Sequence, residues 1–487
     1  FGGIAAALRL RAKGYAVTLV DRCGALGGRA QVYEREGFRH DAGPTVITAP
    51  FLFEELFALF GERFADHVKL VPLTPWYRFQ FADGDTFDYG GTLEATLAEI
   101  ERIEPRDRAG YLALLEHSRR IYDIGFTQLS AQPFHRLGTM LRQVPHLLGL
   151  RNYETVWQMV SRHLVSDKLR RAFSIQPLLV GGNPFDTTSI YGLIHFLERA
   201  YGVHFAMGGT GAVTQALGGL MERQGIALRL STTVERVRIE QGVARGVVLA
   251  DGTVLDADGT VLDADVVVSD ADAAHLYRDL VPRAEQALAT RVKLSQAHYS
   301  MGLFVMYFGT TRTYPDVAHH TIWMGERYQE LLNDIFHRQK LAEDFSLYVH
   351  RPTATDPSFA PPGQDSFYVL CPVPNLQADI DWAIEGPRLR DRIVDALERT
   401  MLPGLKATIT ADFYKTPEDF RDEYRSVHGA GFSVAPIFRQ SAWFRFHNKS
   451  ESVRNLYLVG AGTHPGAGVP GVLCSAKVID ALIPAAS

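Results

Sequence analysis

Cysteine is scarce in this sequence. Its 487 residues include three cysteines, Cys23, Cys371 and Cys474, and these are far apart. None of them has the spacing of a CxxC motif or of a Cys/His metal site, and three separated thiols do not form a disulfide framework. We therefore expect reduced thiols and a reducing compartment.

Long apolar runs and a strong excess of one charge are also missing. No run of about 18 apolar residues is present, so the sequence predicts no transmembrane helix. The net charge is −5, which gives no general reason to expect nucleic-acid binding. No signal peptide is visible, but the sequence begins with Phe1 rather than methionine, so we expect the natural amino terminus to lie upstream. The length predicts two or three domains.

The amino-terminal segment has the pattern of half a nucleotide-binding unit. Gly2 and Gly3 precede an apolar helical stretch that ends at Gly14, and a short apolar run then ends at Asp21. In a Rossmann βαβ unit, glycines let the backbone approach a pyrophosphate, and an acid after the second strand binds a ribose hydroxyl. We predict these roles for Gly2, Gly3 and Asp21, although the first strand and first glycines of the motif are absent. Alone, this half-motif fits a glycine before an ordinary helix equally well.

A second glycine segment follows Asp21 directly. Gly28 and Arg29 lie in the stretch RCGALGGRA, and a close backbone approach beside a guanidinium suits a diphosphate. A plain glycine turn with a surface arginine explains the combination less well. The acid, the short gap and GGRA together resemble the glutathione-reductase-like pattern of FAD-binding proteins.

The carboxy-terminal segment carries the most specific motif. A short apolar run at 456–459 is followed by five glycines and then by a predicted helix near Val472: Gly460, Gly462, Gly466, Gly468 and Gly471. A strand, a glycine-rich loop and a helix N-terminus together form a cradle for an anion or a cofactor. We predict that Gly460, Gly462, Gly468 and Val469 contact the cofactor.

Five stretches together resemble the bacterial and fungal phytoene desaturase family along nearly the whole chain. They are FRHDAGPTVI, VGGNPFDTTSIYGLIHFLE, MGGTGAVTQAL, HGAGFSVAPIFRQSAWFRFHN and NLYLVGAGTHPGAGVPGVLCSAK. Within the last stretch, GAGTHPGAGVPG resembles the carboxy-terminal flavin motif of that family. One departure is Phe446, which stands where the family has the proline of RPHN.

The resemblance implies an FAD-dependent oxidoreductase of carotenoid biosynthesis that desaturates phytoene, a forty-carbon hydrocarbon, to neurosporene or lycopene. A hydride would pass to flavin N5, and the electrons would then pass to oxygen or a quinone. The family also implies that Gly43, Pro44 and Thr45 lie beside the isoalloxazine and that the backbone near Val234 meets the adenine. The proton acceptor is not identifiable from the sequence.

Three residues are candidates for catalysis: Arg142, Asp41 and His464. Arg142 lies in a segment that suits the lining of a substrate tunnel, and the other two are close to the flavin motifs. His464 is more simply explained as a residue that shapes its loop. No metal site is predicted, since His319 and His320 are adjacent and neighbouring side chains on a strand point to opposite faces.

The predicted fold is α/β: a discontinuous, glutathione-reductase-like Rossmann FAD-binding domain with a mixed-sheet and helical substrate domain. The FAD-binding domain takes residues 1–75, 205–290 and 425–487, and the substrate and membrane-facing region takes 76–204 and 291–424. In the second region a helix is predicted to open at Pro387, with Leu389, Ile393, Ala396 and Leu397 on one face. The heptapeptide DGTVLDA occurs twice between residues 251 and 264, and we interpret the second copy as a local loop extension without a function.

Residues 136–171 carry seven basic and two acidic side chains, with aromatic and leucine residues between them. Such a segment can dock on an anionic membrane surface, although a solvated helix face explains the pattern more simply. Because the implied substrate partitions into bilayers, we expect a peripheral protein on the cytoplasmic face of the cell membrane.

Four other functions remain open. A desaturase or ketolase for another carotenoid would share the flavin motifs, and so would a flavin-dependent carotenoid isomerase. An inactive, cofactor-free lipid-binding remnant is a third possibility. An amine oxidase shares the cofactor architecture, but the sequence shows no signature of the aromatic cage that encloses an amine.

Overall fold

The computed structural model describes residues 1–250 and 264–486. The repeated DGTVLDA segment lies outside these residues except for Ala264, so the interpretation of its second copy stays a prediction. None of the helices in the described residues is both long enough and apolar enough to cross a bilayer.

The strands in the first half of the chain are β1 (Thr18–Val20), β2 (Val32–Arg35), β3 (Phe38–Asp41), β4 (Leu70–Pro72), β5 (Tyr77–Phe81), β6 (Thr86–Tyr89), β7 (His204–Ala206), β8 (Ala227–Arg229), β9 (Val234–Glu240) and β10 (Val243–Leu249). Those in the second half are β11 (Val267–Ser269), β12 (Gly302–Thr310), β13 (His320–Met324), β14 (Leu347–His350), β15 (Asp365–Val373), β16 (Ile409–Lys415) and β17 (Leu456–Leu458).

The helices before residue 230 are α1 (Gly2–Ala12), α2 (Phe51–Ala58), α3 (Leu93–Ile103), α4 (Asp107–Gly125), α5 (Leu137–Gly149), α6 (Val156–His163), α7 (Asp167–Ser174), α8 (Leu193–Tyr201) and α9 (Gly209–Arg223). The later helices are α10 (Ala273–His275), α11 (Leu288–Ser295), α12 (Tyr328–Phe336), α13 (Trp382–Thr400), α14 (Leu405–Thr408), α15 (Pro417–Tyr424) and α16 (Val469–Leu482).

The two ends of the chain build one layered unit. Strand β1 pairs in parallel with β8, and β11 pairs in parallel with β17. Helices α1 and α16 pack against each other, and their apolar residues share one buried core with those of α9. The predicted end of the first helix is confirmed, since α1 stops just before Gly14, whose φ of +93° is readily adopted by glycine.

A seven-stranded mixed sheet forms the centre of the substrate region, in the order β16-β12-β15-β14-β13-β5-β6. All neighbouring strands run antiparallel except β13 and β5, which are parallel. Helix α13 covers one part of this sheet with Leu389, Ile393, Ala396 and Leu397, and the predicted apolar face is thereby confirmed.

The predicted start of α13 at Pro387 is wrong. The helix begins at Trp382, because the side chain of Asp381 accepts a hydrogen bond of 3.0 Å from the backbone N–H of Ala383 and caps the first turn. Pro387 lies inside the helix, in its second turn, where the missing N–H removes one backbone hydrogen bond.

Helices α3–α8 form a second layer beside the sheet. The combination of parallel pairs, mixed sheet and helices confirms the predicted α/β class. All seven strands of the mixed sheet lie within 76–204 and 291–424, whereas the α1, α9 and α16 layer belongs to the other set of segments. The exact domain limits stay a prediction.

Candidate cofactor and substrate site

A single continuous cavity of about 1410 Å³ runs from the parallel strands into the layer of helices. Pockets that hold one small molecule have volumes of roughly 300–1,000 Å³, so this cavity has room for more than one. Every residue that the sequence predicts to bind the cofactor lines it: Gly2, Gly3, Asp21, Gly28, Arg29, Gly43, Pro44, Thr45, Val234, Gly460, Gly462, Gly468 and Val469. The fold therefore brings four separate motifs to one surface.

The carboxy-terminal motif forms the predicted cradle. Strand β17 ends at Leu458, the glycine loop follows, and α16 begins at Val469 with its N-terminus at the cavity. Gly468 precedes the helix with a φ of +90°, and a side chain at Gly471 would meet the carbonyl oxygen of Gly466 at 2.5 Å. Glycine is therefore required to aim the helix N-terminus, with its partial positive charge, into the cavity.

A buried arginine holds this loop in place. Arg445 is only 2 % exposed, and its guanidinium donates hydrogen bonds to the carbonyl oxygens of Thr463 at 2.9 Å and Ala461 at 2.6 Å. It also donates to the carbonyls of Gln440 at 3.1 Å and Val434 at 3.2 Å. The planar fork thus ties the glycine loop to two other segments. The following residue, Phe446, packs on Tyr277 with ring centroids 5.9 Å apart, so the departure from RPHN is accommodated in the core.

The amino-terminal motif meets an acid that the sequence analysis did not assign. The backbone N–H of Gly3, at the N-terminus of α1, donates a 2.6 Å hydrogen bond to Oδ2 of Asp270, just after β11. Burial raises the pKa of the Asp270 carboxyl. Asp21 lies just past the end of β1, where the ribose acid was predicted, and accepts a bond of 2.8 Å from the N–H of Cys23. In the sequence, the feature that could have identified Asp270 is its position directly after the short apolar run that forms β11.

The polar groups at this end of the cavity fit a dinucleotide. Four side chains that line the cavity here carry buried atoms with no hydrogen-bond partner in the described residues, namely Arg22 Nε, Arg29 Nε, Asp272 Oδ2 and Ser433 Oγ. Buried polar atoms are rarely left unsatisfied, so a polar ligand is expected to supply the partners. A Cβ on Gly2 would lie 2.7 Å from Asp270 Oδ1 and 3.1 Å from the Gly460 nitrogen, so α1 and the carboxy-terminal loop can meet only with glycine there.

Two turns meet at the middle of the cavity. A Cβ on Gly43 would clash with the carbonyl oxygen of Arg29, so the GGRA turn and the Gly43-Pro44-Thr45 turn are in direct backbone contact. The hydroxyl of Thr45 lies 2.5 Å from that of Tyr348, on β14 of the mixed sheet. At the centre of the cavity the two turns thus meet the mixed sheet.

The other end of the cavity is apolar. Its walls come from the helical layer and from the mixed sheet, and most of its side chains are hydrocarbon: Leu129, Phe134, Met140, Ile175, Leu178, Leu179, Ile190, Leu193, Ile194, Leu197, Ile322 and Leu370. Such a surface gains free energy by removing a hydrocarbon from water and offers few polar partners.

One carboxyl group lies among these apolar walls. Glu198, at 1 % exposure on α8, accepts a hydrogen bond of 2.9 Å from the hydroxyl of Tyr77, and both residues line the cavity. Burial raises the pKa of Glu198 to about 8, so the carboxyl is neutral at pH 7. The sequence analysis did not single out Glu198, although it ends one of the motifs on which the resemblance rests.

The structure separates the three candidate catalytic residues. His464 lines the cavity, where its imidazole lies 2.9 Å from the carbonyl oxygen of Leu129, and burial lowers its pKa to about 4. Asp41 is not among the lining residues: its carboxylate accepts a bond of 3.0 Å from the N–H of Thr210 at the start of α9, and burial raises its pKa to about 7.

Arg142 is exposed on α5 and lies outside the lining of the cavity. The neighbouring Met140 faces inward instead, because α5 packs that side chain against Leu129 and Phe134. The segment that carries Arg142 thus contributes Met140 to the cavity, whereas Arg142 itself does not line it. The catalytic roles of Arg142, Asp41 and His464 stay predictions.

Comparison with known proteins identifies the family. The description "Flavin containing amine oxidoreductase" matches residues 1–478. The chain is 47% identical to a lycopene-forming phytoene desaturase of Paracoccus sp., over 98% of this chain and 94% of that protein. It is 44% identical to a neurosporene-forming phytoene desaturase of Rhodobacter capsulatus, over 99% of this chain and 92% of that protein.

The chain belongs to the flavin-containing amine oxidoreductase family. Its cofactor is FAD, and the phytoene desaturases are the relatives that it resembles over its whole length. A solved structure, the cyclohexylamine oxidase of Brevibacterium oxydans, superposes with a TM-score of 0.60 over 99% of this chain and 96% of the other, at 14% identity. That likeness establishes the fold shared with amine oxidases and nothing about the substrate.

The sequence-based argument against joint ligation by His319 and His320 is wrong. His319 lies in a bend before β13 rather than on the strand, so the two side chains do not alternate between faces. Their ring centroids are 4.6 Å apart, and His350 on β14 joins them in a buried group.

Proposed function

We propose that this chain is an FAD-dependent desaturase that converts phytoene to a more conjugated carotene, neurosporene or lycopene. The observation that carries the proposal is the continuity of the cavity, which leads from the glycine cradle directly into a hydrocarbon-lined space. A substrate without polar groups needs such a space next to the flavin. The identity of 44–47% with phytoene desaturases over nearly the whole length supports the same substrate.

The chemistry divides between cofactor and protein. Bound FAD would supply a two-electron acceptor for a hydride from one carbon, and a proton would leave the neighbouring carbon as the double bond forms. The apolar walls hold the hydrocarbon and exclude water, and the Gly43-Pro44-Thr45 turn and α16 position the cofactor. Because the Glu198 carboxyl is neutral at pH 7, it presents no fixed charge to the hydrocarbon. Oxygen or a quinone is the proposed final electron acceptor.

We further propose that the protein loads its substrate from the cytoplasmic face of the membrane. Helix α5 exposes Leu137, Leu141 and Leu148 at 51%, 60% and 58%, while its Met140 lines the cavity. Phe438 also lines the cavity and is 49% exposed. The exposed apolar surface and the apolar end of the cavity are thus built from the same elements, which suits transfer of a lipid-soluble substrate.

The charges beside this surface support docking on anionic lipid. Four of the seven basic residues between 136 and 171 are ion-paired: Arg151, Arg162, Lys168 and Arg171. Arg136 and Arg142 are exposed at α5 without an ion pair in the described part of the chain. The uncompensated positive charge therefore lies next to the exposed leucines, where it can meet lipid phosphate.

The decisive experiment incubates the FAD-loaded, full-length protein with phytoene in liposomes and follows absorbance and product mass. We expect coloured products, each lighter than the last by two hydrogens. A flavin-bound protein that leaves phytoene unchanged would overturn the proposal and favour a shorter or oxygenated carotenoid. A product of unchanged mass but altered retention would instead identify an isomerase.

A further inference from the structure

Three histidines converge in the core of the mixed sheet, away from the glycine cradle. His320, the first residue of β13, is the direct cross-strand partner of His350 at the end of β14. His319, in the preceding bend, turns towards both. The three ring centroids are 4.6, 4.9 and 5.1 Å apart, and the candidate ligand nitrogens all lie within 4.8 Å of one another.

The outer hydrogen bonds orient two of the rings. Nδ1 of His319 lies 2.7 Å from the hydroxyl of Thr355, and Nδ1 of His320 lies 2.7 Å from the hydroxyl of Tyr348. When each Nδ1 donates in this bond, the Nε2 lone pair of that ring is left for another partner. Metal-binding histidines are commonly fixed by such a bond from their second nitrogen.

The inner nitrogens have no side-chain partner within the described residues. Nε2 of His319 and Nε2 of His320 are buried and make no hydrogen bond, and the buried His350 ring meets only the backbone of His319. Because buried nitrogens of this kind are costly to leave unsatisfied, their convergence calls for a ligand.

A charged pair and a phenol lie beside the histidines. The nearby guanidinium of Arg351 is paired with Asp365 at 3.2 Å, which offsets its charge. The ring of Tyr77 lies 5.8 Å from that of His320, and its hydroxyl donates to the Glu198 carboxyl.

We propose that His319, His320 and His350 bind one divalent transition-metal ion of the zinc class. Three neutral imidazoles with an open fourth position suit Zn²⁺, and also Co²⁺, Ni²⁺ or Cu²⁺. A tetrahedral site with metal–nitrogen bonds of about 2.0–2.1 Å needs ligand nitrogens about 3.3 Å apart, so side-chain movements of about 1.5 Å or less complete it. Through His320 and Tyr348 the ion would brace the sheet against Thr45.

The ion has to enter while the chain folds, since His319 is only 7% exposed and the other two rings are more deeply buried. The test therefore expresses the full-length protein in medium containing Zn²⁺ or Co²⁺, with a purification tag that contains no histidine. Metal and FAD are then counted per chain, and the visible spectrum of the cobalt form is recorded. We expect about one metal per chain and the bands of tetrahedral Co²⁺. Flavin-loaded wild type with less than about one tenth of a metal per chain would overturn the proposal.

Variants separate this site from adventitious binding. His319→Gln and His350→Gln are expected to lose the metal and keep FAD, whereas His195→Gln, which alters a fully buried histidine outside the group, is expected to keep both. Thr355→Val removes only the outer hydrogen bond and is expected to lose metal about 10–100 times more readily to a chelator. Unchanged metal content in the His319 and His350 variants, or unchanged chelator resistance in Thr355→Val should those two fail to fold, would refute the site.

Discussion

The hydroxyl of Tyr77 donates a 2.9 Å hydrogen bond to Oε1 of Glu198 within the apolar end of the cavity. The two residues belong to β5 and α8, so the bond ties the mixed sheet to the helical layer. Glu198 can accept this bond in its neutral form, because a protonated carboxyl still has an oxygen that accepts a hydrogen bond.

The Glu198 pKa predicts a measurable dependence of stability on pH. The folded-state pKa is about 8 against an ordinary value of 4.5. The folded protein therefore keeps a proton that the unfolded chain releases. The contribution of Glu198 to stability is fully present below about pH 4.5, and it falls by about 1.4 kcal/mol for each pH unit up to about pH 8.

Glu198→Gln removes this titration and keeps an acceptor for Tyr77. We expect the variant to gain stability relative to wild type as the pH rises from 5 to 8, with a constant difference above that. Denaturation midpoints of the FAD-loaded proteins, taken across this pH range, measure the difference in stability. Glu222→Gln, at an exposed position of α9, is the control, and its stability should depend on pH in the same way as that of wild type. Parallel curves for Glu198→Gln would show that its carboxyl is ionised in the folded state.

Gly43→Ala tests the contact between the two cofactor turns. The added methyl group would clash with the carbonyl oxygen of Arg29, which belongs to the backbone and cannot rotate away. We expect a loss of about 1–3 kcal/mol of stability and of most bound FAD. Thermal unfolding and flavin absorbance per chain measure the two effects.

The control for this variant is Gly138→Ala in α5, where the added methyl group meets no heavy atom within 4 Å. A glycine in a helix costs about 0.5–1 kcal/mol relative to alanine, so this change should stabilise the protein slightly and leave FAD binding intact. Normal flavin content in Gly43→Ala would mean that the two turns do not form one cofactor surface.

Arg445→Lys tests the anchor of the carboxy-terminal loop. A lysine keeps the positive charge but cannot donate to carbonyl groups of three segments at once, because its ammonium is a compact group at one point. We expect FAD content to fall at least several-fold, with a loss of stability of about 1–3 kcal/mol from the carbonyls left unsatisfied. A flavin content equal to wild type would show that the loop holds its shape without the guanidinium.

Replacing Leu141 and Leu148 with serine tests membrane loading. The double variant removes two exposed apolar side chains from α5 and should reduce flotation with anionic vesicles several-fold. Its activity on a detergent-solubilised substrate should stay close to wild type, since neither leucine lines the cavity. Leu288→Ser is the matched control, because Leu288 is 69% exposed on another helix, α11. Equal loss of flotation in both variants would argue against α5 as the docking surface.

Arg142→Gln separates the two roles considered for that residue. Its exposed position on α5 predicts weaker binding to anionic vesicles and a normal turnover once substrate is supplied in detergent. A strong fall in turnover in detergent would instead support the catalytic role predicted from the sequence, and would mean that α5 moves when substrate binds.

The sequence by itself predicted a set of cofactor-binding residues that lie together in the fold. The predicted contacts are made largely by backbone at glycines and by an acid after a strand, and such patterns are local enough to be read from a few consecutive residues. All of the predicted cofactor residues accordingly line one cavity. Only the tertiary structure shows which residues surround these motifs and which side chains meet across the fold. The Tyr77–Glu198 bond and the meeting of His319 with His350 join separate elements of the chain through strand pairing and helix packing. The hydrogen bonds of Arg445 depend on how the loops around it fold back. No local sequence pattern predicts such pairings. Even the relative orientation of the adjacent His319 and His320 depends on the bend before β13, which the sequence did not predict.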